Sequence, residues 1–254
     1  MEWGFLMSKI KLSKISKTYK AGLFKKKVRA LTDLSLSVDA GTVYGLIGPN
    51  GAGKSTTIRL LLNLSRPDRG TVRIDALPVH ESLGAIGYLP ENPYLYDHLT
   101  LKELLFFAGR ATGLATSDIR QRMEHLTATV GLDHVRGKSL RTFSKGMRQR
   151  AGLCFALLHD PSLVILDEPM SGLDPLGRKM VCDLILSLKK QGKTIFFCSH
   201  ILSDIERLCD RIAVLHQGQM VREFTPDEIT ELRQGKMDLE TEFIDVVERN
   251  EVHS

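Results

Sequence analysis

The residues best suited to do chemistry are nine in a row, Gly48-Pro49-Asn50-Gly51-Ala52-Gly53-Lys54-Ser55-Thr56. Two glycines with four residues between them, Gly48 and Gly53, then Lys and Ser, match the pattern that folds backbone N–H groups around phosphate oxygens. The glycines free the chain to curl, Lys54 adds a point charge, and the Ser55 hydroxyl suits the shell of a magnesium ion. An apolar strand, TVYGLI, comes before, and a helical pattern starting at Lys54 comes after, as this chemistry requires. A second cluster ends the apolar run Leu163 to Leu166 with Asp167-Glu168-Pro169. At a strand end Asp167 can orient a magnesium-bound water, and Glu168 can face the γ-phosphate and polarise an attacking water. Two acids there also fit a plain strand end and turn.

The elements that must position these groups alternate between strand and helix. From Ile10 to Val43 short alternating runs predict antiparallel strands, joined by the basic AGLFKKK turn. TVRID and IGYL follow as strands. Thr100 and Glu103 have the spacing of a capping box, and from there to about Asp160 the pattern is helical, giving a helical insert over about 93–160. SLVILD, KTIFFCS and RIAVLHQG then return as strands separated by helices, which predicts a parallel sheet with crossover connections. The fold class expected is α/β: a P-loop NTPase with a mainly parallel sheet core, an N-terminal antiparallel β subdomain and an inserted α-helical subdomain. One domain is expected over 8–225, with an acidic tail or small cap over 226–254.

Composition narrows the function classes. At 43% hydrophobic and 26% charged residues the chain reads as globular, and its longest apolar run, Leu153 to Leu158, is far too short to span a bilayer. The opening MEWGFLM lacks the features of a secretory leader. Cys154, Cys182, Cys198 and Cys209 have no spacing suited to zinc or to a disulfide ladder and are expected as reduced, buried thiols. Residues 1–29 carry nine Lys or Arg against one Glu, whereas residues 223–254 carry ten acids against three bases. The basic end fits either a solvated hairpin or a weak attraction to nucleic acid or anionic lipid.

In this order the motifs resemble those of the ATP-binding cassette (ABC) ATPases over nearly the whole chain, in the form that serves exporters with separately encoded membrane subunits. Tyr19 resembles the aromatic residue that stacks on adenine, although a surface aromatic would read the same. Phe143-Ser144-Lys145-Gly146-Met147 takes the place of the family signature, Ser171-Gly172-Leu173-Asp174 that of its dimer-contact loop, and Ser199-His200 that of its switch histidine. Two departures stand out. Lys145 and Met147 replace a glycine and a glutamine of the signature, and Glu91 replaces the glutamine that contacts Mg²⁺, leaving open a metal contact or a solvated loop acid.

The resemblance implies a specific assembly. ATP and Mg²⁺ are the expected cofactors, with Glu168 and His200 catalytic, Ser55, Asp167 and Glu91 on the metal, and Tyr19, the nine-residue loop, Ser144 and Gly146 on the nucleotide. Ser144 and Gly146 would cap the ATP of a second copy, or of a homologous ABC ATPase, although Ser144 also reads as an ordinary N-cap. The function implied is an ATPase subunit, peripheral on the cytoplasmic face of the membrane, that powers transport, expected as export, through transmembrane permease subunits. An ABC ATPase acting on nucleic acid or the ribosome is the alternative, and a regulatory module without turnover is disfavoured by Lys54, Asp167, Glu168 and His200 occurring together.

Overall fold

The computed structural model describes residues 8–20 and 27–251, so most of the AGLFKKK turn lies outside the described residues. In chain order the elements are β1 (Ser8–Lys20), β2 (Lys27–Asp39), β3 (Val43–Ile47), α1 (Lys54–Leu61), β4 (Arg69–Ile74), β5 (Leu77–Pro78) and the single-turn α2 (Val79–Ser82). There follow β6 (Ile86–Leu89), α3 (Leu101–Ala111), α4 (Thr116–Thr129), α5 (Lys145–Leu157), β7 (Leu163–Asp167) and α6 (Pro175–Lys190). The chain closes with β8 (Thr194–Cys198), α7 (Leu202–Leu208), β9 (Arg211–His216), β10 (Gln219–Phe224), α8 (Pro226–Arg233) and α9 (Leu239–Glu251). Two compact units divide these elements, one from residues up to 83 and from 194 onward, the other from residues 84–193.

In the first unit β2, β1, β4 and β5 form an antiparallel sheet in that order. Ile10, Leu12 and Ile15 of β1 and Leu34, Leu36 and Val38 of β2 are buried. That is the alternation expected of strands with one covered face. Beside it β3 lies between β8 and β9 as parallel neighbours, and β10 pairs antiparallel with β9. Every residue of β3 and of β8 is buried, as in a strand covered on both faces. The Tyr44 ring stacks on Phe196 at 6.0 Å, and its hydroxyl donates to Glu223 Oε1 at 2.6 Å. Burial, and then that carboxylate, push the Tyr44 phenol far above its usual range, so it stays a neutral donor. In the acidic tail Thr225 caps α8 in a full capping box with Glu228, and α9 packs on β9, β10 and α7.

The second unit pairs β6 with β7 in parallel and packs α3, α4 and α5 on one another. Thr100 opens α3 with both bonds of the predicted capping box, since its hydroxyl accepts from the Glu103 amide while Glu103 accepts from the Thr100 amide. The core of the helices is aliphatic: Leu104, Leu105, Ile119, Met123, Leu153 and Leu157 are all buried. The four cysteines are buried and not joined in disulfides, and burial pushes the Cys154 thiol up to about 12. No helix among the described residues is long and apolar enough to cross a membrane.

Candidate active site

The two units each carry part of the motif set, and parallel strand pairing explains how. In the first unit Leu46 of β3 pairs with Cys198 of β8. Both strands leave the sheet at the same edge, so Gly48 and His200, each two residues past the paired position, follow from that edge. In the second unit Leu89 of β6 pairs with Leu166 of β7, which sends Glu91 and Glu168 out from the same edge by the same rule. Ligands bind at carboxyl edges of such sheets.

The phosphate loop is held by backbone. Gly53 has φ +112, and a Cβ there would lie 2.6 Å from Leu31 Cδ2 and 2.8 Å from the Ala30 carbonyl oxygen, so no side chain fits. The turn between β9 and β10 closes over the loop: the Gly218 amide donates to the Ala52 carbonyl at 2.9 Å, and the Thr32 amide to the Gly218 carbonyl at 2.8 Å. Lys54 turns its ammonium back onto the carbonyls of Gly48 and Pro49, the latter at 3.2 Å. Ser55 stands exposed on the first turn of α1, with Thr56 half-buried beside it.

Tyr19 lies near the end of β1 with its hydroxyl closed off from solvent and without a partner of full hydrogen-bond geometry. Burial raises its phenol, but Ser65, Thr56 and Arg59 beside it prevail and lower it below the usual range. One face of the ring carries the Lys17 ammonium, 5.4 Å from the centroid. The Tyr19 position next to Thr56 thus joins the end of β1 to the first turn after the phosphate loop. His200 is exposed just beyond β8, whereas Ser199 before it is buried, its hydroxyl accepting from the Ile201 amide at 3.1 Å.

In the second unit Asp167 ends β7 half-buried, and Glu168 follows with φ +49. A left-handed glutamate costs backbone energy and persists only where its surroundings hold it. What holds it is Gln149, 1% exposed on α5, whose side-chain amide donates to the carbonyls of Glu168 and Pro169, each at 3.3 Å. The Ser171 amide then returns to the Glu168 carbonyl at 3.0 Å, and Asp174 caps α6 through the Gly177 amide at 2.7 Å. Gln149 escapes motif reading; the only signal in the sequence is an uncharged polar residue on the buried side of a helix.

Ser144 caps α5, accepting from the Met147 amide at 3.2 Å, and remains exposed. A capping hydroxyl accepts with a lone pair and keeps its proton for a further acceptor. Gly146 is half-buried on the first turn. The two arginines after it have structural partners: Arg148 pairs with Asp97 at 2.6 Å, and Arg150 donates to the Val130 carbonyl at 3.0 Å. Asp97 lies below the usual carboxylate range, mainly through the Arg148 hydrogen bond. Its carbonyl also accepts from the Ser139 hydroxyl at 2.8 Å and the Arg141 amide at 3.1 Å. So the segment that follows Glu91 is bonded to the start of α5. Glu91 itself is exposed.

Among the described residues no group of three or more His, Cys, Asp or Glu side chains converges as a metal cage. Magnesium does not need one, because it keeps several waters and takes one or two protein oxygens beside substrate phosphates. Ser55 and Asp167, hard oxygen donors at a loop end and a strand end, fit that requirement in kind.

An ABC transporter ATP-binding protein of Synechocystis sp., itself uncharacterised, is 47% identical over 212 residues, covering 82% of this chain and 60% of the relative. The chain therefore spans about three fifths of that relative's length. The solved ATP-binding subunit of an ABC transporter superposes with a TM-score of 0.83 at 33% identity, covering 93% of this chain and 98% of that one. A dimeric ATP-binding cassette in a post-hydrolysis state, bound to ADP and phosphate, superposes with a TM-score of 0.77 at 25% identity, covering 85% and 98%. The ABC transporter family profile matches residues 31–171, more than half of the sequence, and the chain belongs to that family.

Proposed function

We propose that this protein is an ATPase subunit that closes head to tail with a second copy, or with a homologous subunit, around two Mg·ATP and drives export through separately encoded transmembrane subunits. The observation that carries the reading is Glu168, a left-handed non-glycine residue at a sheet edge, fixed there by a buried amide. Strain of this kind is maintained where a side chain must be aimed. The fold is shared with a cassette that is dimeric with ADP and phosphate bound, which supports reciprocity between two chains.

Each residue then has a task. Lys54 and the loop amides bind the β- and γ-phosphates, and Tyr19 stacks on adenine. Ser55 and Asp167 would hold the magnesium, with Glu91 near it; the ion supplies charge neutralisation on the phosphate oxygens. Glu168 takes a proton from the attacking water, and His200 donates to the γ-phosphate. Ser144 and Gly146 of one copy donate to the γ-phosphate held by the other, with the α5 dipole behind them.

A transmembrane partner needs a docking surface, and the second unit offers an aromatic one. Tyr94 is 98% exposed, and Tyr96 and Phe107, both more than half exposed, meet edge to face at 6.2 Å. Exposed aromatic clusters mark interaction sites. Docking there would hold the subunit on the cytoplasmic face of the membrane. The outward direction rests on the SKGM form of the signature. The comparisons do not favour the nucleic-acid or ribosome reading. The test is Glu168→Gln: nucleotide binding should persist while hydrolysis falls by about 100-fold or more. Near-normal phosphate release by the purified variant would remove Glu168 as the base and the reading with it.

A further inference from the structure

Lys145 stands where the family's signature has a glycine, and its side chain does something a glycine cannot. Lys145 is exposed at the first turn of α5, and its stem lies flat over Gly172 of the loop after Glu168. An ideal Cβ on Gly172 would come within 2.6 Å of Lys145 Cδ, 2.8 Å of Cε and 2.9 Å of Cγ. Gly172 is left-handed at φ +72, so both its backbone and its missing side chain are needed for the methylenes to settle there. Gly146 extends the contact: a Cβ on it would lie 3.3 Å from the Gly172 carbonyl oxygen and 3.3 Å from Leu173 Cδ2.

Gln149 lies one turn further along α5, on the same face as Lys145. It holds the other end of the same loop through the Glu168 and Pro169 carbonyls. One face of α5 thus grips residues 168–173 at two points, by an amide at one end and by an aliphatic stem at the other. Between them the loop is pinned by its own turns, Ser171 amide to Glu168 carbonyl at 3.0 Å and Leu173 amide to Met170 carbonyl at 3.2 Å.

We propose that Lys145 is a positioning residue: its stem locks the Ser171–Asp174 loop to the signature turn, so that the two surfaces offered to a second copy move as one body. The consequence for dimer closure rests on the two-copy reading above; the intramolecular latch does not. Lys and Arg stems routinely cover neighbouring surface while the charged head stays in water, so the methylenes rather than the charge carry the effect. Two loops that arrive together lose less freedom on association than two that must be ordered separately.

Lys145→Ala removes the stem and keeps a good helix former, while Lys145→Met keeps the stem without the charge. Hydrogen exchange of the nucleotide-free protein tests the latch. Exchange at the Ser171 and Leu173 amides should rise about tenfold in Lys145→Ala and stay within about twofold of the parent in Lys145→Met. Equal exchange in all three proteins, or a rise in both variants, overturns the proposal. In a Glu168→Gln background, the ATP concentration for half-maximal dimerisation should rise about tenfold with Lys145→Ala and not with Lys145→Met, at unchanged affinity of the monomer for nucleotide. A Met variant as impaired as Ala would assign the effect to the charge and sink the latch. Failure of the Glu168→Gln parent to dimerise would instead sink the shared-site reading, with the exchange data still deciding the latch.

Discussion

The loop at residues 48–55 and the loop at residues 168–174 both need a fixed backbone, and they obtain it by opposite means. The first is fixed chiefly through its main chain: the Gly218 amide seats Ala52, and the Gly53 backbone fits against the Ala30 carbonyl and the Leu31 side chain with no room for a Cβ. The second is fixed by side chains from α5, namely the Gln149 amide and the Lys145 stem. A backbone-held loop can be damaged only by residues within it or directly under it. A side-chain-held loop is vulnerable at a distance in sequence, and its rigidity can be tuned by substituting residues that touch no substrate.

The largest expected effect falls on the first loop. Lys54→Ala should weaken ATP binding by about 100-fold, as expected when a charge-assisted contact to phosphate is lost. Fluorescent-nucleotide titration would check it. Retained affinity would show that the loop amides alone hold the phosphates, and would make the backbone contribution to this loop larger still.

On the second loop the corresponding break is Gln149→Ala. It leaves the buried Pro169 carbonyl without the Gln149 donor and the Glu168 carbonyl with only the Ser171 amide, at a cost of about 1–3 kcal/mol. It also frees Glu168 from the constraint that keeps φ at +49. Hydrolysis should fall by about tenfold or more with KM for ATP little changed, read from steady-state phosphate release. A rise in KM with kcat preserved would mean that Gln149 supports binding rather than the aim of Glu168, and the contrast between the loops would fail.

The contrast also explains what could be read before the structure. Glycines at 48, 51 and 53 with Lys54 announce their backbone chemistry in their types, because few other residues could serve. Elements with strict periodicity were equally readable: the buried runs at Val43–Ile47 and Thr194–Cys198 are strands, and Thr100 with Glu103 opens a helix. The Gln149 clamp, the Arg148–Asp97 pair and the Lys145 stem were not readable. Each joins residues far apart in sequence through side chains whose types are unremarkable, so only the packing of α5 on the loops around it shows which of its polar residues face inward. The acidic tail read only as a tail or small cap over 226–254, and two helices, α8 and α9, form there. Charge dominated its composition, while the apolar anchors are as few as Ile229, Leu232 and Leu239.

Cysteine chemistry offers a smaller probe of the same helix. Cys154 sits on α5 with its thiol pushed up to about 12 by burial, so at pH 8 hardly any thiolate forms in the folded state. Native protein should therefore resist alkylation at Cys154, by mass spectrometry, and Gln149→Ala should speed labelling only if loosening the second loop also loosens α5. Unchanged labelling would confine the damage to residues 168–174.

The smallest effect compares two helix starts built alike, one in each unit. Glu103 and Glu228 both accept from a threonine amide and hydroxyl, and for both that backbone hydrogen bond is the chief cause of a lowered carboxyl pKa. Glu228 has in addition the Arg222 guanidinium at 2.6 Å. A carboxylate depressed in the folded state stabilises above its unfolded pKa, and that stability is lost as pH falls through the unfolded value toward the folded one. Both caps should thus weaken below about pH 4.5. Glu228→Gln should flatten the acid limb of thermal stability more than Glu103→Gln does, because it removes an ion pair as well as the charge on the cap bonds. Measured at high salt the two variants should converge, since screening suppresses the Arg222 contribution and leaves the cap bonds in place. Persistence of the difference at high salt would assign it to the packing of α8 instead of to charge.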